Sequence, residues 1–484
     1  MGESTLKEKT AKGLFWGGMS GFLTQLLNAA FGIYLARSLT PDDYGLVGML
    51  AMFTLLATIM QECGLPSALI NRKEIRHEDY NAVFWCMLLV SSLCYVLLFL
   101  GAPLIAGYFH QPVLVSLSRV CFLSFIIAGL GTAHRTMLTK KLMVKELAIV
   151  NIVSVVVSGT VGVILASKGF AYWTLAIQAL VLNVLMTAGY WLFSKWRPSF
   201  QWDFRPVREM FPYGIRIWLT SILSIVNSNY VSVFLGRKYT ADWVGYYTQA
   251  NKWSLMGVSV LTGMVSSVAQ PVLASVTEEK ERQLRVFRKM IRFTAFISFP
   301  AMFGLAFIAP EFIPVVLTEK WNDSIVLLQV LCVGGAFTPI IQVCTNLILS
   351  RGKSSAYMWN QIVLFALILS LLYLLYPKGI TAILIGITAI NALWIFVWTW
   401  LAHREIGYSV TKLAVDLLPF MGIALASLAV AWLVTKGINH QLLLMIAKIL
   451  VTAAIYFFLM WISRSVIFRE CVNILLKRDN IKTT

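Results

Sequence analysis

The stretch Leu35-Ala36-Arg37-Ser38-Leu39-Thr40-Pro41-Asp42-Asp43-Tyr44-Gly45 returns 200 residues later as Leu235-Gly236-Arg237-Lys238-Tyr239-Thr240-Ala241-Asp242-Trp243-Val244-Gly245. Both copies read L-x-R-x-x-T-x-D-x-x-G, and each closes one long apolar segment and opens the next. A repeat held in one register marks two homologous halves. An internally duplicated chain of apolar segments has the plan of a transporter.

Composition points the same way. The 484-residue chain is 58% hydrophobic and only 13% charged, with a mean hydropathy of +0.76; globular domains carry about a quarter charged residues. A membrane-spanning helix needs about 20 mainly apolar residues and satisfies its own backbone hydrogen bonds, which lipid cannot. Six such segments between Gly13 and Ser194 form the first half, six between Met210 and Ala402 form the second, and two more between Lys412 and Phe468 follow. The sequence therefore predicts an all-α polytopic membrane protein of about 14 transmembrane helices, built as two six-helix lobes plus two C-terminal helices. The expected boundaries are 1–200 for the first lobe, 201–405 for the second, and 406–484 for the extra helices with a basic tail. An even number of spans per lobe makes the repeats parallel, not inverted. The interface between the halves is the expected place for a substrate path.

The net charge of +18 raises the question of nucleic acid or acidic lipid as a partner. With the N-terminus inside, most of the 40 Lys and Arg fall in inner segments, as in Lys7-Lys9-Lys12, Arg135-Lys140-Lys141-Lys145 and Arg285-Arg288-Lys289-Arg292. This positive-inside asymmetry places both termini in the cytoplasm and leaves no need for a nucleic-acid role. The apolar run after Lys12 is too long for a signal-peptide core and reads as a first transmembrane helix. Seven cysteines show no metal-ligand spacing and read as packing residues.

The repeat itself reads chiefly as a hairpin device. Thr40 can cap the next helix, Pro41 suits its first turn, and Asp42 and Asp43 favour its positive dipole end; Thr240-Ala241-Asp242 repeats the arrangement. Arg37 and Arg237 sit where helices end and a cation is favoured. A gate in which Arg37, Asp42, Arg237 and Asp242 exchange partners is the functional alternative. On the seventh segment Arg216, Thr220, Ser224 and Ser228 recur every four residues, flanked by Asn227. A cation deep in a span costs about 2.5–3.5 kcal/mol, so it tends to face water, a partner or a ligand. The eighth segment carries Gln249 and Lys252, and the first carries Gln25 and Asn28 as an uncharged counterpart. These are the candidate lumen residues. Pro339 on the tenth segment is expected to kink it, near a polar patch, and to act as a hinge.

The first and seventh segments contain no Asp or Glu within the membrane, whereas a cation-extruding pump usually needs a buried acid. A basic lumen suits a phosphate or pyrophosphate instead. Five scattered histidines, no G-x-S-x-G and no phosphate-binding P-loop argue against an enzyme, and neither a cofactor nor a metal is expected.

Four segments carry a family resemblance: Y-L-A-R-S-L-T-P-D-D-Y-G-L-V-G-M (Tyr34 to Met49), G-L-P-S-A-L-I-N-R-K (Gly64 to Lys73), W-R-P-S-F (Trp196 to Phe200) and V-G-Y-Y-T-Q-A-N-K-W (Val244 to Trp253). They resemble bacterial Wzx-type polysaccharide flippases, in particular the colanic-acid and teichuronic-acid exporter branch of the multidrug/oligosaccharidyl-lipid/polysaccharide flippase superfamily. The resemblance implies translocation of an undecaprenyl-pyrophosphate-linked oligosaccharide across the bacterial inner membrane by alternating access. It also implies membrane lipids, a coupling ion (H+ or Na+) and polysaccharide polymerase machinery as partners, and casts Arg216 and Lys252 as pyrophosphate contacts. A cation-coupled drug or metabolite antiporter of the same superfamily is the alternative, and the missing acids count against it.

Overall fold

The computed structural model describes residues 3–62, 65–72, 75–141, 143–200, 203–208, 230–463 and 467–470. Every regular element among them is helical. Eleven of the described helical segments are long and apolar enough to cross a membrane, which makes this a multi-pass membrane protein. The chain packs as two compact units, Met1–Thr248 and Gln249–Thr484.

The first unit holds α1 (Glu3–Ser38), α2 (Pro41–Glu62), the short α3 (Leu65–Asn71), α4 (His77–Phe109), α5 (Leu114–Lys140), α6 (Val144–Ser167) and α7 (Trp173–Ser194). Residues 230–238 form a further helix, and the first turns of α8 (Ala241–Ser275) complete the unit. Helices α4, α5 and α7 pack side by side, as do α1, α6 and α7. Side chains fasten α7 to α5 turn by turn. Thr187 Oγ1 donates to the Ile127 carbonyl at 2.9 Å, Trp191 Nε1 to the Leu130 carbonyl at 2.8 Å, and His134 Nδ1 lies 2.7 Å from Ser194 Oγ. Gly131 makes this approach possible, since a Cβ there would stand 2.9 Å from Thr187 Oγ1.

Two of the segments that carried the family resemblance meet at one end of this unit. Trp196 Nε1 donates to His77 Nδ1 at 2.9 Å, and its ring packs against Phe84 and Tyr80. Ser199 N–H donates to Asn81 Oδ1 at 2.9 Å, while its carbonyl accepts from Trp85 Nε1 at 2.8 Å. Lys140 Nζ donates to the Ile70 and Arg72 carbonyls at 2.6 and 2.8 Å, and Arg72 pairs with Asp79 at 3.2 Å. The W-R-P-S-F and L-I-N-R segments are thus clamps that close helix ends by satisfying their backbone groups.

The second unit is built round α9 (Lys280–Phe312), followed by a π-helical turn (Ile313–Leu317) and a 3-10 turn (Glu319–Trp321). The charged stretch from Lys280 to Arg292 forms the start of α9, where Arg285 pairs with Glu281 on the same face. Next come α10 (Ser324–Gly335), α11 (Thr338–Ser350), α12 (Ser354–Leu375), α13 (Ile380–Leu393), α14 (Ile395–Ile406), α15 (Val410–Thr435) and α16 (Gln441–Ile462). Pro339 does interrupt its span: α10 stops at Gly335, α11 restarts at Thr338, and the Ala336 carbonyl accepts from Ser298 Oγ at 2.7 Å. Without that donor the broken turn would leave an unsatisfied carbonyl in an apolar core.

The last two helices, α15 and α16, are pinned to α9 at both of its ends. Asp416, fully buried on α15, accepts from Arg288 Nε and Nη2 at 2.8 Å each and from Arg292 Nε at 2.5 Å, with the Tyr408 hydroxyl at 3.3 Å. Toward the other end Lys448 Nζ on α16 lies 2.7 Å from Glu311 Oε1. Between them the Tyr456 hydroxyl donates to the Phe296 carbonyl at 2.8 Å.

Candidate functional site

The expected lumen residues scatter in the structure. Arg216, Thr220, Ser224, Asn227 and Ser228 lie outside the described residues. On α1, Gln25 is half-buried and Asn28 exposed, while the neighbouring Thr24 Oγ1 accepts from Asn151 on α6 at 2.9 Å. On α8, Gln249 is fully buried with both amide atoms lacking a partner among the described residues. Lys252 is half-buried, and the adjacent Trp253 packs edge-on against Phe312 with ring centroids 5.1 Å apart.

The two repeat copies do come together. A Cβ built on Gly45 would lie 1.9 Å from the Ala241 carbonyl oxygen, and one built on Gly245 would lie 1.9 Å from that of Pro41. Reciprocal glycines therefore let the first turns of α2 and α8 touch backbone to backbone. The first copy is capped as expected, and more completely. Thr40 N–H and Oγ1 donate to Asp43 Oδ2 at 2.9 and 2.7 Å, while Asp43 N–H donates to Thr40 Oγ1 at 3.3 Å. The second copy cannot repeat this box, because Trp243 stands where Asp43 does. Arg237 donates to the Tyr108 carbonyl at 2.6 Å and to His110, with its guanidinium 5.0 Å from the Tyr108 ring centre. Asp42 stands at this crossing, ahead of the apolar part of α2. Partial burial, then the charges of Asp242 and Asp43, hold its carboxyl above the usual range.

A polar cavity of the first unit lies elsewhere, between α2, α5 and α7. Its volume is about 220 Å³, and Thr54, Ser124, Thr132, Arg135, Asn183, Thr187 and Tyr190 line it. Five of the six α5 members recur at i, i+4, i+7, i+8 and i+11 (Ser124, Ala128, Gly131, Thr132, Arg135), with Phe125 beside them, so one helix face supplies a wall. Thr54, Ser124 and Thr132 each donate their hydroxyl to a carbonyl of their own helix at 3.0, 2.6 and 3.0 Å. Ser124 and Thr132 have thus spent their donors, and their oxygens remain as acceptors. Asn183 gives one N–H to the Ala179 carbonyl at 2.9 Å and keeps the other. Arg135 is exposed at this cavity and forms no ion pair with any described carboxylate. Acceptors for hydroxyl groups and one cation without an ion pair among the described residues thus share one cavity.

Sequence reasoning placed Arg135 among the positive-inside charges and missed this wall. The signal was present as the spacing of small and hydroxyl residues ending in an arginine. Two other cations on apolar helices have partners of their own. Arg119 lies over the Phe99 ring, 4.2 Å from its centre, and Lys448 is neutralised by Glu311.

The profile of the family described as polysaccharide biosynthesis protein matches residues 34–326. The chain belongs to this family. Among its relatives, the teichuronic acid biosynthesis protein TuaB of Bacillus subtilis is 26% identical over 373 residues, covering 76% of this chain and 77% of its own. The lipopolysaccharide biosynthesis protein WzxC of Escherichia coli is 25% identical over 355 residues, covering 72% and 71%. The fold is shared with the lipid II flippase MurJ in an inward closed conformation, with a TM-score of 0.77 at 15% identity over 96% of this chain and 99% of that one. It is also shared with an inward-facing multidrug resistance MATE family transporter of the MOP superfamily, with a TM-score of 0.63 at 20% identity over 79% and 94%. The family's match spans the repeat, the clamp segments and the polar cavity alike.

Proposed function

We propose that this protein is a flippase that carries undecaprenyl-pyrophosphate-linked oligosaccharide repeat units across the bacterial inner membrane by alternating access, for assembly of a surface polysaccharide. The observation that carries this reading is the cavity of Thr54, Ser124, Thr132, Arg135 and Asn183. Its acceptor oxygens suit sugar hydroxyls, and the unpaired guanidinium suits a phosphate. Family membership and relatives named for teichuronic acid and lipopolysaccharide biosynthesis support it. In this reading α2, α8 and the segment near Met210 to Gly236 complete fourteen spans with both termini cytoplasmic, as the charge asymmetry suggests. The lobes are those expected at 1–200 and 201–405, with 406–484 appended. Arg216, Thr220, Asn227, Ser224, Ser228, Gln249 and Lys252 would supply the wall of the second lobe, and Gln25 and Asn28 part of the first. Pro339 and the Arg37, Asp42, Arg237 and Asp242 group would serve the gate, and a polysaccharide polymerase would receive the product.

The test is Arg135→Ala at matched membrane abundance. Losing a charge-assisted hydrogen bond costs about 1.5–3 kcal/mol, so export of surface polysaccharide should fall by about tenfold or more. Lipid-linked oligosaccharide should accumulate in the cytoplasmic leaflet, and Arg135→Lys should recover part of the activity. Unchanged export would remove Arg135 from the site. Normal lipid-linked pools in a gene deletion, with altered drug sensitivity, would favour the antiporter that the MATE likeness keeps in view.

A further inference from the structure

We propose that the groove between α8 and α9 is a binding site for an anionic phospholipid of the bilayer, and that residues 467–470 are a strap which covers it and is displaced when the lipid binds. Val265, Ala269 and Val272 on α8, with Val286, Met290 and Phe293 on α9, line a cavity of about 430 Å³. Both sets recur at i, i+4 and i+7, so each helix turns one apolar face to the cavity. Phe293, 42% exposed, stands at the rim on a membrane-spanning helix, so the groove opens toward hydrocarbon. Lys289 lines the same cavity from the charged first turns of α9. Its methylene stem follows the apolar wall while the ammonium, on a side chain 62% exposed, stays at the mouth. Arg288 and Arg292, its neighbours on α9, are committed to Asp416. An apolar slot with a cation at its mouth is complementary to a hydrocarbon chain that ends in a phosphate.

The chain's own strap carries that chemistry in miniature. Ile467 is 6% exposed and lines the cavity, and Glu470, one helical turn later, brings Oε2 to 2.7 Å from Lys289 Nζ. An apolar group followed by an anion thus fills the slot and meets its cation. Between them Phe468 packs on Phe296 of α9 and Phe457 of α16, with ring centroids 6.3 and 6.2 Å away. The strap is lightly held. An ion pair as exposed as Lys289 with Glu470 shifts an equilibrium by no more than about fivefold, so a lipid abundant in the bilayer can reverse it. A phosphate on Lys289 takes the partner of Glu470, and a chain in the groove takes the place of Ile467. Because each displaces one half of the strap, lipid and strap compete for the same ground. The lipid bound here is a resident of the bilayer and not the cargo, so the proposal stands apart from the flippase reading.

The test uses the full-length protein in nanodiscs of phosphatidylcholine, with and without phosphatidylglycerol. Amide hydrogen exchange of the peptide carrying residues 467–470 should quicken by up to about fivefold when phosphatidylglycerol is added, and native mass spectrometry should find that lipid retained on the protein. Glu470→Gln removes the competitor, so it should free the strap in phosphatidylcholine alone and raise retention of phosphatidylglycerol by up to about fivefold. Lys289→Gln breaks the same ion pair and should also free the strap, but it should lose the retained lipid. Both side chains are exposed, so neither substitution strands a buried charge and both variants should fold. A purely structural ion pair would make the two substitutions act alike. Lipid retention that moves in one direction in both variants, or a strap whose exchange ignores phosphatidylglycerol, would overturn the proposal. Equal loosening by inorganic phosphate would overturn it as well, since a free anion cannot fill the groove. A protein that answers to phosphatidylglycerol but moves no lipid-linked saccharide would overturn the flippase reading alone. One that moves saccharide with no such answer would overturn the lipid site alone.

Discussion

The two copies of L-x-R-x-x-T-x-D-x-x-G share a backbone and differ in side-chain chemistry. In the first, Leu39 N–H donates to the Leu35 carbonyl at 2.8 Å and Tyr44 N–H to that of Thr40 at 3.4 Å; in the second, Tyr239 donates to Leu235 at 2.8 Å and Val244 to Thr240 at 3.3 Å. A Cβ added to either glycine would meet the opposite copy's first helical carbonyl oxygen at the same distance. Only the first copy closes a capping box. In the second, the helix preceding the turn is tied by Arg237 to the end of α4. What the two copies share is the crossing of two helices, and each copy fixes its own turn by a separate means. That pattern fits a hinge or packing joint better than a pair of equivalent binding sites.

The largest expected effect would come from the glycines. Gly45→Ala and Gly245→Ala each force a methyl onto a backbone oxygen that cannot move away, so each should destabilise the protein by about 3 kcal/mol or more. Thermal unfolding in detergent would read this, and a clear inequality between the two would break the symmetry of the crossing. The caps should separate the copies instead. Thr40→Ala or Asp43→Ala removes a cap and should cost about 0.5–2 kcal/mol, whereas Thr240→Ala should stay within about 0.5 kcal/mol. Equal costs would mean that the second turn has a cap of its own. The smallest effect concerns pH. Because the folded state holds the Asp42 proton more tightly than the unfolded chain, stability should rise as pH falls from the raised value toward 3.8. Asp242→Asn removes one cause of the shift, so it should stabilise the protein slightly at neutral pH and flatten that dependence. An unchanged profile would show that the two acids do not sense each other.

Some of this was readable in the residues and some was not. The helical class follows from long apolar runs that lipid forces into helices, and the repeat is visible because its turn needs small, capping and acidic residues at fixed places. The break at Pro339 could be anticipated because the missing N–H is a property of that one residue. The polar wall ending at Arg135 left a local trace at helical spacing, but the same spacing fits a packing seam, and only the Asn183 and Thr187 face of α7 turns it into a cavity. The pairing of Glu311 with Lys448 left no trace. Glu311 sits just past one apolar run and Lys448 within another, nothing local links them, and the two are 137 positions apart.

The sequence by itself determined that this chain crosses the membrane many times, that it carries one turn motif twice, and which of its turns are helix joints, because those properties depend on local hydropathy and on neighbours within a few residues. Only the tertiary structure decided which faces meet. A helix that is apolar all round presents nearly the same surface to lipid as to another helix, so no periodicity marks its inward side. The reciprocal glycine contact, the hydroxyl-lined cavity at Arg135 and the ion pair of Glu311 with Lys448 therefore exist only once the packing has chosen those faces.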